Sequence, residues 1–175
     1  MRAPTLVAAL LVVAGCTPVR SFVYGPTPPT RAANAPGQID GHPAAIYPVP
    51  ADHPRGDVQL AVERLTDVHE PEGSLHKVRV VVVRMIVRNR DSQIWCIDGG
   101  AVGGVFDGER WQYPLRVFSE GQRQRTIVLD PGDTRSIDLY YELPAKTGKQ
   151  VSLGVAWRIV TPGDVVLRST TTAAR

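Results

Sequence analysis

The side chains of this 175-residue chain with types and spacings suited to chemistry sit in a few short stretches. Asp67, His69, Glu70, Glu72 and His76 fall within ten residues, and all are metal-ligating types. Zinc needs three or four such groups converging tetrahedrally, usually from HExxH on a helix or from paired CxxC. Neither spacing is present, and Pro71 and Gly73 punctuate the stretch, so a solvated loop is expected rather than a metal site. Ser74 near His76 is the closest approach to a nucleophile beside its base. It lacks the GxSxG elbow and the strand-to-helix context that would present the hydroxyl.

Gly99, Gly100, Gly103, Gly104 and Gly108 make a glycine-rich region. A phosphate cradle must open a helix and, in a P-loop, carry a lysine and a hydroxyl, and neither follows here. Tight turns and a bulge are the expected use of these glycines. Cys96, within Ile94-Trp95-Cys96-Ile97, is expected to behave as a small buried hydrophobe rather than a redox thiol. Arg84, Arg88 and Arg90 share one face of a strand, most simply the solvent face, where contact with the phosphates of a polymer is their functional alternative. No catalytic residue, metal ligand or cofactor is assigned.

Cys16 is the exception. Arg2 and the amino terminus supply positive charge, and Leu6 to Ala14 is an unbroken apolar run of nine residues. A membrane-spanning helix needs about 20 apolar residues, so this run is too short to span. A charged start, a short apolar stretch and small residues at its end make a secretory signal peptide, residues 1–15. Val13-Ala14-Gly15-Cys16 resembles the lipobox of bacterial lipoproteins, in which an aliphatic residue and two small ones precede the cysteine. The resemblance implies that Val13, Ala14 and Gly15 are read by the signal peptidase and that Cys16 becomes the acylated first residue. The residue types fit that chemistry, since small side chains leave the scissile bond accessible and the cysteine supplies the nucleophilic sulfur. Two or three acyl chains, each methylene contributing about 0.8 kcal/mol, would hold the protein on a membrane without a spanning helix. The implied partner is thus the membrane itself, and the implied location the bacterial cell envelope. Thr17, where an aspartate typically retains such proteins at the inner membrane, implies the outer membrane in a Gram-negative host.

The rest of the chain must position these groups. Removing residues 1–15 leaves 160 residues and lowers the formal net charge from +3 to +2, too little to favour nucleic acid. With Cys16 consumed by lipid, Cys96 is the only remaining thiol, so no intramolecular disulfide can brace the fold. Between Thr17 and Gly56 nine prolines interrupt a segment without sustained apolar periodicity. Residues 16–56 are therefore expected to form a disordered proline-rich tether, with Ile46 to Val49 able to pack along the domain edge.

From residue 57 to 172 the pattern is one of strands. In Ser136 to Leu143, Ile137, Leu139, Tyr141 and Leu143 alternate with polar positions, and Val151, Leu153, Val155, Trp157 and Ile159 do so in the next strand. All should face one core. The link Pro144 to Gly148 is short enough for a hairpin, although it also permits a crossing to an opposite sheet. Asp130-Pro131-Gly132-Asp133 and Thr161-Pro162-Gly163-Asp164 read as turns, and Asp107-Gly108 as a hairpin. In Lys77 to Arg90 the apolar parity changes, with Val78, Val80 and Val82 on one face and Val83, Met85 and Val87 on the other. Either a β-bulge near Val81 to Val83 brings both sets to the same core, or the segment is buried on both sides.

Seven to nine short antiparallel strands with no three-turn amphipathic helix predict an all-β sandwich. The valine-rich strand ending at Asn89, the Asp130-Pro131-Gly132 turn and Leu139-Tyr140-Tyr141-Glu142-Leu143-Pro144 resemble immunoglobulin-like domains of secreted bacterial lipoproteins, many without assigned function. The implied role is a non-catalytic binding or scaffold module with an envelope protein or glycan as partner. The alternatives are an envelope hydrolase with a loop-built site and an assembly subunit that pairs through an edge strand.

Overall fold

The computed structural model describes residues 23–24, 35–50, 53–106, 112–143, 153–161 and 169–173. Period-two alternation dominates the sequence, and strands dominate the structure. They are β1 (Val23–Tyr24), β2 (Ala35–Ile39), β3 (His42–Val49), β4 (Gly56–His69), β5 (Lys77–Asn89), β6 (Trp95–Asp98), β7 (Gly103–Phe106), β8 (Arg116–Ser119), β9 (Gln122–Arg123), β10 (Thr126–Leu129), β11 (Thr134–Glu142), β12 (Leu153–Trp157), β13 (Ile159–Val160) and β14 (Ser169–Ala173). A 3-10 turn, Gly99–Ala101, separates β6 from β7. The protein is all-β, and its strand pairings are antiparallel.

A seven-stranded sheet has the order β2-β3-β4-β5-β11-β8-β9. Facing it are a four-stranded sheet, β1-β13-β6-β10, and a three-stranded sheet, β14-β12-β7. Only Arg158 separates β12 from β13, and only the 3-10 turn and Val102 separate β6 from β7. The two small sheets are therefore successive parts of one bent layer. Apolar side chains from both layers meet in one core: Leu60, Met85, Leu139 and Tyr141 from the large sheet, Trp95, Leu129, Val155 and Trp157 from the other. Tyr141 satisfies its buried hydroxyl by donating to the Val102 carbonyl at 2.9 Å.

Ile137, Leu139, Tyr141, Leu143, Val155, Trp157 and Ile159 share this core, as their alternation predicts. Val151 and the side chain of Leu153 lie outside the described residues. Their strands do not form a hairpin: β11 is central in the large sheet, whereas β12 pairs with β7 and β14 in the other layer. The chain crosses between the layers, so the face is shared without pairing. The parity change in β5 has a similar outcome. β5 is regular, with Val81, Val83, Met85 and Val87 in the core and Val80 and Val82 fully buried on the opposite face. Val78 is only half-buried. The register shift lies in the partner, between Val62 and Arg64 of β4, where Glu63 is the extra residue.

Ala35 to Val49, expected in the tether, instead form β2 and β3 and extend the large sheet. The domain thus begins before residue 57, and more strands are described than the seven to nine expected. Tyr47 and Val49 reach the main core, while Ile39 and Ala44 pack with Ala61 and Ile86 on the outer face. The prolines are accommodated by position. Pro36 is on the edge strand β2, and Pro48 lies beyond the end of the β2 pairing. Asp40-Gly41, with φ of 50° and 82°, makes the two-residue turn that joins the strands. The Asp130-Pro131-Gly132-Asp133 turn is present, closed by the Asp133 amide donating to the Asp130 carbonyl at 3.0 Å. Residues 107–111 and 162–168 are outside the described set, but Gly104 and Gln112 pair antiparallel with reciprocal 2.8 Å hydrogen bonds.

Candidate functional site

A cleft of about 570 Å³ opens where the 3-10 turn meets the segment before β8 and the edge after β9. Its lining includes Gly100 and Ala101, Tyr113 to Val117, and Arg123 and Arg125. Three arginines therefore line one concavity beside a tyrosine that is 68% exposed. Local structure sets their positions. Glu120-Gly121, with φ of 50° and 77°, turns β8 into β9, which ends at Arg123, and Arg125 follows in the short connection to β10. Asp98 caps the 3-10 turn by accepting from the Gly100 amide at 2.9 Å and accepts from Arg125 Nε at 3.1 Å. Gly100 matters because Arg125 lies directly over it, and a Cβ there would overlap the guanidinium.

The three arginines are held to different degrees. Arg116 Nε donates to Glu70 Oε2 at 3.1 Å and its Nη2 donates to the His69 carbonyl, with the arginine side chain only 11% exposed. Arg123 pairs with Glu72 at 2.8 Å, and Arg125 with Asp98, but both of these pairs are largely in solvent. Exposed ion pairs contribute about 0–1 kcal/mol, whereas sheltered ones with added hydrogen bonds are costly to break. Arg116 is therefore a strut, and Arg123 and Arg125 are free to change partners.

That strut accounts for the sequence cluster between Asp67 and His76. The tip of the β4–β5 hairpin reaches β8 and β9 through Glu70 and Glu72, across the face where Val80 and Val82 are buried. His69 Nδ1 contacts the Ser74 carbonyl at 2.5 Å, and His76 Nδ1 the Glu70 carbonyl at 3.3 Å, so both rings serve the turn. The Ser74 hydroxyl donates to the His76 carbonyl at 3.4 Å rather than to its ring. Among the described residues no three His, Cys, Asp or Glu side chains are grouped to hold a metal ion.

Comparison of the chain with protein-family models, curated proteins and solved structures found no match.

Two placements differ from those expected. Arg84 is not on a solvated face. It donates to both Asp138 oxygens at 2.7 and 2.9 Å and to Asp40 at 2.5 Å, with Glu63 at 3.3 Å. The register row Ala44, Ala61, Arg84, Asp138, Phe118 explains this, since two alanines leave room for the guanidinium to reach Asp40. The Asp138 hydrogen bonds, with Asp40 and Glu63 behind them, hold its pKa above the ordinary value despite partial burial. Arg88 and Arg90 are more exposed and both approach Asp57. Cys96 is not in the core either. Trp95 and Ile97 point inward from β6, so Cys96 faces out, half-buried beside Val128 and Val160. Val13, Ala14, Gly15 and Cys16 lie outside the described residues. Among the described residues no helix is long and apolar enough to cross a membrane.

Proposed function

We propose that this protein is a lipid-anchored component of the bacterial cell envelope that acts as a non-catalytic binding module on an immunoglobulin-like sandwich. The observation that carries the reading is the order of residues up to Cys16: cationic start, nine apolar residues, then Val13-Ala14-Gly15-Cys16. A cysteine after such a run is the thiol that lipoprotein maturation requires, and acylation there anchors a domain that need not be apolar itself. Two antiparallel layers closed over one core are consistent with the immunoglobulin-like reading. A cleft bordered by re-aimable arginines supports the binding role. With Thr17 after the cysteine, the outer membrane is the destination in a Gram-negative host.

Cell fractionation of the wild type and Cys16→Ala tests the reading. The wild type should sediment with membranes, resist extraction by high salt and enter detergent. Cys16→Ala should accumulate as the longer, unprocessed chain. Equal processing and equal salt extraction of the two would contradict it.

A further inference from the structure

We propose that the cleft between the 3-10 turn and the β8–β9 hairpin binds an anionic saccharide, held through its carboxylate or phosphate by Arg123 and Arg125. The assignment rests on the binding-module reading and names the ligand class of that site. Arg123 and Arg125 border the same concavity, and each guanidinium offers the planar fork that grips a carboxylate or phosphate through paired N–H groups. Their resident partners are weak competitors. The Arg123 and Glu72 side chains are 58% and 65% exposed, and Arg125 and Asp98 are 73% and 48% exposed. Solvent screening leaves such pairs little net stability, so an entering anion trades one exposed ion pair for another inside a concave wall.

The remaining lining favours a sugar over a bare ion. Tyr113, mostly exposed, offers an amphipathic surface for pyranose C–H groups and a hydroxyl for theirs. Pro114 and Leu115 add apolar lining, and the missing side chain at Gly100 leaves room for Arg125 to approach it closely. A volume of about 570 Å³ exceeds what a single phosphate or carboxylate fills. Arg116 keeps the wall in place through Glu70 and does not exchange.

Glu72 gives the proposal a signature that a structural role lacks. It occupies Arg123 in the free protein, so removing its charge should free the guanidinium and tighten binding. The experiment is isothermal titration of the full chain, solubilised in detergent, with an oligouronate, a sugar phosphate, the matching neutral oligosaccharide and inorganic phosphate. An acidic saccharide should bind saturably and the neutral one should not. Arg123→Gln and Arg125→Gln should each weaken binding about tenfold, and Glu72→Gln should strengthen it, while Arg90→Gln on the far pairs leaves it unchanged. Preference for the uronate over the sugar phosphate, or the reverse, assigns the acidic group.

Inorganic phosphate binding as tightly as either saccharide would overturn the saccharide assignment. Saccharide binding untouched by Arg123→Gln and Arg125→Gln would overturn the cleft assignment and leave the binding-module reading standing. If no acidic saccharide binds and the lipidated protein also captures nothing from its own envelope, both fall together.

Discussion

Asn89 ends β5 where the chain crosses from the large layer to the small one, and β10 hands over to β11 at the same point. It is fully buried and its side chain serves both crossings. Its Nδ2 donates to the carbonyls of Gln93 at 2.8 Å, Leu129 at 3.1 Å and Asp130 at 3.2 Å, and its Oδ1 accepts from the Asp91 amide at 2.9 Å. The backbone joins in, with the Asn89 amide donating to Asp133 and its carbonyl accepting from Gly132. Asn89→Ala keeps the backbone bonds and removes the rest. Two good hydrogen bonds at about 1 kcal/mol each, plus about 1–3 kcal/mol for polar groups left buried and unpaired, give a loss of about 3–5 kcal/mol. Urea denaturation read by tryptophan fluorescence measures it. Asn89→Asp should cost at least as much at neutral pH, because a carboxylate would face three carbonyl oxygens. Its folded-state pKa would then lie above the unfolded value of about 3.9, so its relative stability is fullest below that pH and lost as pH rises through the folded value. The comparison is with wild type at each pH, which cancels the other carboxylates. Asn89→Ala within about 1 kcal/mol of wild type, or Asn89→Asp insensitive to pH, would mean that the Asn89 side chain does not hold the two crossings.

Trp157 is 2% exposed in the shared core, and Trp157→Ala should cost about 3–5 kcal/mol in the same denaturation assay. An unchanged midpoint would remove β12 from the core. Arg84→Leu should cost about 2 kcal/mol, less than a fully buried pair because the site is partly open, and the deficit should shrink at high salt as the stranded Asp138 and Glu63 are screened. A salt-independent effect would mean that packing rather than charge is lost. Burial holds the Tyr141 hydroxyl neutral far above its usual pKa of 10.0. Stability from it is complete below that value and is lost as pH rises further, so the alkaline limb of a pH–stability profile should flatten in Tyr141→Phe, which costs about 1 kcal/mol at neutral pH.

The core was legible where one face is wet. Ile137, Leu139 and Tyr141 alternate with half-buried or exposed neighbours, and the period names the buried set directly. It fails for β5, because Val80 and Val82 are fully buried although they face away from the main core, so both parities of the strand are apolar. The β2–β3 hairpin was masked by its prolines, although Asp40-Gly41 between Ile39 and His42 carries the usual two-residue turn signal. Partnership across sheets was out of reach, since a short link after Leu143 fits a hairpin and a crossing equally well. The cleft arginines are inconspicuous in the sequence for a related reason. Arg116, Arg123 and Arg125 are ordinary surface residues in sequence, and only the Glu120-Gly121 turn and the 3-10 segment bring them to one wall. Gln122-Arg123-Gln124-Arg125 after that turn was the available clue.

The proposed function requires Cys16 to be the acylated first residue of the mature protein. Intact-mass measurement of the chain purified from bacterial membranes tests it most directly. The expected mass lacks residues 1–15 and includes a diacylglyceryl group on Cys16, with or without a further acyl chain on its amino terminus. A chain that starts elsewhere, or an unmodified Cys16, would contradict it.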